Sequence, residues 1–95
     1  MKFDWDQGNI DKNLVSHGVH DWEIEEAVND PKAKVVGVKM IGGEERREIL
    51  GRVQTNGRYL RVIFTYRYSP QGEKLVRPIS ATDMTEKQKR RYLKK

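Results

Sequence analysis

Residues 45–68 read ERREILGRVQTNGRYLRVIFTYRY, and this stretch decides the fold. From Arg58 to Tyr68 the side chains alternate. Leu60, Val62 and Phe64 fall on one face, and Tyr59, Arg61, Ile63 and Thr65 fall on the other, which is the period of a half-buried strand. Glu45 to Gln54 reads as a second strand, with Ile49 and Val53 on one face. Between them Asn56-Gly57 is the strongest hairpin signal in the chain, because a type I′ turn needs positive φ at both central residues. The pair is therefore expected to be antiparallel.

Working outward, the valine-rich run Ala33 to Ile41 meets Gly42-Gly43, which predicts a strand and a turn. On the other side, Ser69-Pro70-Gln71-Gly72 predicts a turn and Leu75 to Ala81 a last strand. Pro78 has no N–H for a ladder, so that strand lies at an edge or carries a bulge.

Helical signals occupy the two ends. Asp6 offers its carboxylate as a cap for a first helix. Ile10, Leu14 and His17 then share one face, and Gly18 stands where a left-handed terminating residue is wanted. A second helix spans Asp21 to Asn29, with acidic residues in its early turns and a stripe of Ile24, Ala27 and Val28. Asp30-Pro31 ends it. Thr85 and Gln88 have the spacing of a capping box and open a short basic helix anchored only by Tyr92 and Leu93. The order is α-α-β-β-β-β-α. It predicts an α+β domain with one four-stranded, mainly antiparallel sheet packed by helices.

The 95 residues suffice for one domain, 1–95, on a scale of about 100–200 residues per domain. With 19 Lys+Arg against 14 Asp+Glu the net charge is +5, which points to an anionic partner, nucleic acid or an acidic protein. There is no cysteine, so a disulfide framework, a Cys-ligated metal and a thiol nucleophile are excluded. No apolar run reaches the roughly 18 residues of a membrane span, and Phe3-Asp4-Trp5-Asp6 is no signal peptide, so a cytoplasmic protein without a membrane role is expected.

Gly-x-Ser-x-Gly, Walker and Gly-x-Gly-x-x-Gly patterns do not occur. His17 and His20 stand i, i+3 without a carboxylate partner, so neither a metal site nor a cofactor is expected. The informative feature is arginine on strands. Arg46 and Arg52 share a face of one strand, Arg61 lies on the next and Arg77 on the last. Guanidiniums converging over a sheet bind phosphate bidentately and stabilise the charge of a phosphoryl transition state. From pattern alone the better fit is a solvated face whose arginines pair with Glu44, Glu45 and Glu48. Tyr59, Tyr66, Tyr68 and Tyr92 interleave with the cations and suit either base stacking or sheet-edge packing. Trp5 and Trp22 read as packing residues. His17, whose imidazole ordinarily titrates near about 6.5, suits proton transfer or closure of its own helix.

A series of motifs runs through nearly the whole chain: Phe3-x-Trp5-Asp6, Asn13-Leu14-x-x-His17-Gly18-Val19, Asp30-Pro31, Gly43-Glu44-Glu45-Arg46 and Gly51-Arg52, then Gly57-Arg58, Val62-Ile63-Phe64-Thr65, Arg67, and Arg77-x-Ile79-Ser80-Ala81 with the basic helix through Tyr92. In order and spacing it resembles the BrnT family, ribonuclease toxins of bacterial type II toxin–antitoxin pairs. The resemblance implies a RelE-like fold and RNA cleavage that inhibits translation. It also implies a BrnA-type antitoxin, a 2:2 heterotetramer formed through antitoxin dimerisation, and operator DNA bound only through the antitoxin. The chain departs from the family pattern at Thr82, where arginine is usual, at Tyr66, where glutamate is frequent, and at Asn9 and Ser16, where lysines are common.

Metal-independent RNA cleavage uses the substrate 2′-OH as nucleophile, so the protein must supply a base, an acid and positive charge. Arg46, Arg52 and Arg77 are assigned to the phosphate, His17 to proton transfer with Tyr66 in reserve, and Ser80 to a substrate hydrogen bond. Arg58, Arg61, Arg67, Lys87, Arg90 and Arg91 are assigned to RNA binding. The alternative is a non-catalytic basic module that binds nucleic acid or an acidic antitoxin, which the loss of arginine at Thr82 favours.

Overall fold

The computed structural model describes all 95 residues. β1 (Lys34–Ile41), β2 (Glu44–Arg52), β3 (Tyr59–Tyr68) and β4 (Lys74–Asp83) form one antiparallel sheet in the order β1-β2-β3-β4. α1 (Lys12–His17) and α2 (Asp21–Val28) precede it, and α3 (Glu86–Leu93) follows, so the expected α+β order holds. Phe3 adds an isolated parallel bridge to Val76 on the outer edge of β4.

The turns partly reverse the sequence reading. Gly42 and Gly43 join β1 to β2, and both have positive φ, as a type I′ turn requires. Asn56-Gly57 does not form that turn, because only Gly57 has positive φ. The loop is longer: Val53 N–H donates to the Arg58 carbonyl, and Gly57 N–H to the Val53 carbonyl. It is pulled onto α2, where Glu26 accepts from the Thr55 amide and hydroxyl and Glu23 accepts from the Asn56 side chain. Both alternatives for Pro78 are realised. β4 is an outer strand, and its register against β3 shifts between Ile63 and Phe64, whose partners are Ser80 and Pro78.

The face of the sheet beneath α1 and α2 carries the core. Ile49, Val62, Phe64, Val76 and Ala81 meet Val19, Ile24, Ala27 and Val28 there. α2 sits very close to β2: a Cβ built on Gly51 would fall 2.0 Å from the Ala27 carbonyl oxygen. Only hydrogen fits at that position. The first helix departs from expectation. It starts at Lys12, and Ile10 lies exposed in the preceding turns. Asp6 accepts from the Gly8 amide and so caps a turn, not the helix. The buried residue of α1 is Asn13, whose amide oxygen accepts from Ala81 N–H and fastens the helix to β4. Trp5 packs at the core margin and donates to Glu25, whereas Trp22 is 45% exposed beside His20 and is not a core residue.

α3 lies across the opposite face at the Leu50 end. Thr85 and Gln88 form the expected capping box. Tyr92 is buried, meets Tyr59 edge-on at 5.7 Å and donates its hydroxyl to Asp30. Asp30 also accepts from the Lys32 and Arg52 amides, at 2.9 and 2.8 Å. Burial alone would raise its carboxyl pKa, but the hydrogen bonds from Tyr92, Lys32 and Arg52 hold it below the usual carboxylate value. Burial and the Asp30 carboxylate push the Tyr92 phenol up to about 12.

Two outcomes follow. Gly51→Ala, measured by urea unfolding, should cost about 3 kcal/mol, the upper range for overpacking, because the α2 backbone must retreat. The folded pKa of Tyr92 exceeds its unfolded value, so its stabilisation is full below about pH 10 and fades as pH rises toward about 12. Unfolding measured across that window should show a loss of stability that Tyr92→Phe lacks.

Candidate functional site

Strand alternation places a second set of side chains on the face away from α1 and α2. The register aligns Lys39, Arg46, Thr65 and Arg77 across all four strands. Neighbouring rows add Glu48 and Ser80 beside Ile63, and Arg61 beside Thr82. Strands lie about 4.8 Å apart, so Lys39 and Arg46 are neighbours in a band of cations that Thr65 separates from Arg77. Beside it is a cavity of about 130 Å³ whose lining includes Gly37, Lys39, Arg46, Glu48, Arg61 and Ile63.

Every arginine of this band is already met by a carboxylate. Arg46 Nε donates to Glu44 at 3.2 Å, and Arg67 donates to the other Glu44 oxygen at 2.8 Å. Arg61 Nε donates to Glu48 at 2.5 Å. Arg77 spans Asp6 and Asp4, at 2.9 and 3.2 Å. The Arg67 guanidinium, with help from Arg46, holds the Glu44 carboxyl below its ordinary pKa, and Arg77 does the same for Asp6. The solvated, self-paired reading of these arginines is thus the geometry found. The carboxylates Asp4 and Asp6 are partners that the sequence pattern does not reveal. Their contact with Arg77 crosses more than seventy residues of chain and has no local signature.

The remaining assigned residues are dispersed. Arg52 shares the face of Arg46 but lies six residues along β2, about 20 Å at the strand rise, stacked over Tyr59. Tyr66 belongs to the opposite face, packed on Phe64 with Arg47 and Lys74 over its ring. His17 is exposed in the last turn of α1 and forms no hydrogen bond with Arg46, Arg52 or Arg77. Ser80 is on the arginine face, in the row next to Arg77. Arg58 is a clamp. It donates to buried Glu23, to both oxygens of Asp83 and to the Gly18 carbonyl. Those carboxylates raise its pKa well above the ordinary value, against the effect of burial.

A second cationic surface lies on α3. Lys34, Lys87, Arg90, Arg91, Lys94 and Lys95 line one open depression. None of them forms an ion pair, in contrast to the arginine band. Lys34 is drawn to the helix end by the Arg91 and Lys94 carbonyls. Arg58→Ala strands a buried carboxylate and should lower stability by about 3 kcal/mol, whereas Arg90→Ala and Arg91→Ala should stay within about 0.5 kcal/mol in the same thermal melts.

No helix is long and apolar enough to cross a membrane. A search among curated proteins finds no match. The model of one protein family, described as the ribonuclease toxin BrnT of type II toxin–antitoxin systems, matches residues 5–88. The match covers α1 through the first turn of α3, with both the arginine band and the core beneath it. The chain therefore belongs to the BrnT family of ribonuclease toxins, whose systems pair each toxin with an antitoxin.

Proposed function

We propose that this toxin is a metal-independent endoribonuclease of the cytoplasm that cuts RNA on the arginine face of the sheet. The supporting observation is the juxtaposition of Arg46, Arg61 and Glu48 around one cavity, with Arg77 in the row of Arg46, two strands away. A phosphate entering the cavity exchanges the carboxylate partners of Arg46 and Arg61 for its own oxygens, and the guanidinium forks suit that geometry. Glu48 takes the proton of the 2′-OH. The O2′–P bond then forms as the P–O5′ bond breaks, and the departing 5′ oxygen takes a proton from solvent. The charge that builds on the phosphoryl oxygens falls to Arg46 and Arg61. The unpaired cations of α3 hold the RNA backbone outside the cavity. The antitoxin is proposed to be of the BrnA type, assembling two toxins through its own dimer.

The test is cleavage of a defined RNA by antitoxin-free protein in EDTA. Cleavage should persist and leave 2′,3′-cyclic phosphate and 5′-hydroxyl ends. Arg46→Ala and Arg61→Ala should each lose about a hundredfold in rate, the usual cost of removing one donor at a developing charge. Glu48→Gln should lose a similar factor, and His17→Ala should cleave at the parental rate. Cleavage restored only by a divalent ion would overturn the metal-independent route. Intact RNA from folded protein would leave the binding module, a reading favoured by the arginines being paired within the chain. A slow His17→Ala with a normal Glu48→Gln would return proton transfer to His17.

A further inference from the structure

The two rims of the sheet are treated oppositely. On β4, Val76 is bracketed by Lys2 and Asp4 through backbone hydrogen bonds, Asn9 donates to the Pro78 carbonyl, and Asn13 caps Ala81. On β1 nothing in the chain pairs with the outer edge. The strand is eight residues long and carries Val35, Val38, Met40 and Ile41, at 54%, 52%, 66% and 48% exposure. A long apolar edge with unpaired N–H and C=O groups is a template for another strand, and folded proteins normally cover it.

Charge selects the occupant. Lys39 stands exposed on β1 without an ion pair, and Lys34 begins the strand beside the α3 cations. Arg46 and Arg47 stand opposite on β2, each paired with a glutamate of its own strand, so the free charge of this rim is the lysines'. A second copy of this chain would bring two such edges together at +5 each. An acidic segment meets the same cations with opposite charge. Alternation then divides its side chains. Apolar ones lie with Val38 and Met40 on the α2 side, and acidic ones lie with Lys39 on the arginine side. Gly37 leaves the cavity open toward this rim: a Cβ there would meet only Glu48, at 3.7 Å.

We propose that β1 is the docking edge for the antitoxin, which adds an extended segment of alternating apolar and acidic residues as a fifth strand. The same strand sets its acidic side chains beside Lys39, at the rim of the cavity that Arg46 and Arg61 line, so docking and inhibition are one event. The inhibitory half rests on the active face proposed above, whereas the docking half does not.

Hydrogen exchange of the full chain, alone and bound to the antitoxin of its own operon, tests this. Amides between Val36 and Ile41 should slow at least about tenfold on binding, as expected for strand addition. The double variant Val38→Lys, Met40→Lys alters only exposed side chains, so its melting temperature should match the parent. Its affinity for the antitoxin should fall about tenfold or more, consistent with loss of central apolar contacts. Parental affinity in that variant, or protection confined to α3, overturns the proposal. So does a concentration-dependent dimer of the free chain that Val38→Lys disperses. Protected β1 amides in a protein that cleaves no RNA uphold the docking edge and retire the nuclease reading. Active nuclease with unprotected β1 amides does the reverse.

Discussion

The Asp30 carboxylate ties the three layers of this small protein at one point. It lies just past Asn29, the C-cap of α2, accepts the Arg52 amide at the end of β2 and accepts the Tyr92 hydroxyl from α3. A buried carboxylate is costly unless its lone pairs are filled, and here backbone and phenol donors fill them. The consequence reaches beyond local stability. α3 has only Tyr92 as a buried anchor, with Leu93 exposed. Without the Asp30 contact, little would hold a helix this basic against a sheet that already carries arginines. Leu50, fully buried on that face, depends on the same cover.

The cations of the chain fall into two states for one electrostatic reason. Arg46, Arg61, Arg67 and Arg77 on the sheet are each paired with a carboxylate, while the cations of α3 form no ion pair. Pairing keeps the arginines extended over the sheet and orients them before any ligand arrives. It also means that a phosphate gains only the difference between its own contact and the contact it displaces. Binding strength is therefore expected to come from the free helix cations, and geometry from the paired arginines. That division suits a site whose selectivity lies in the reacting phosphate.

Sheet topology sets which surfaces remain for partners. The N-terminal segment closes the β4 rim, α1 and α2 cover one face, and α3 covers one end of the other. What is left is a contiguous region formed by the β1 edge and the arginine band beside it. A strand added at β1 would lie next to the proposed active face without rearranging the core.

Much of this was legible in the sequence, because the relevant signals are local. Period-two alternation from Leu60 to Phe64, the glycine pair at Gly42-Gly43, the capping box at Thr85 and the proline at Pro78 each act through their own backbone. The family resemblance, carried by motifs spaced along the chain, agrees with the match over residues 5–88. Tertiary structure decided the rest. Asn56-Gly57 gave up a tight turn because Glu23 and Glu26 offered better partners from α2. Asp6 left its helix-capping role for Arg77, far away in the chain. Arg58 became a clamp, because pairing distance, not residue type, determines what a charged side chain meets. Sequence spacing specifies which face of a strand a residue occupies, but only the assembled sheet brings opposite charges from distant segments within hydrogen-bond reach.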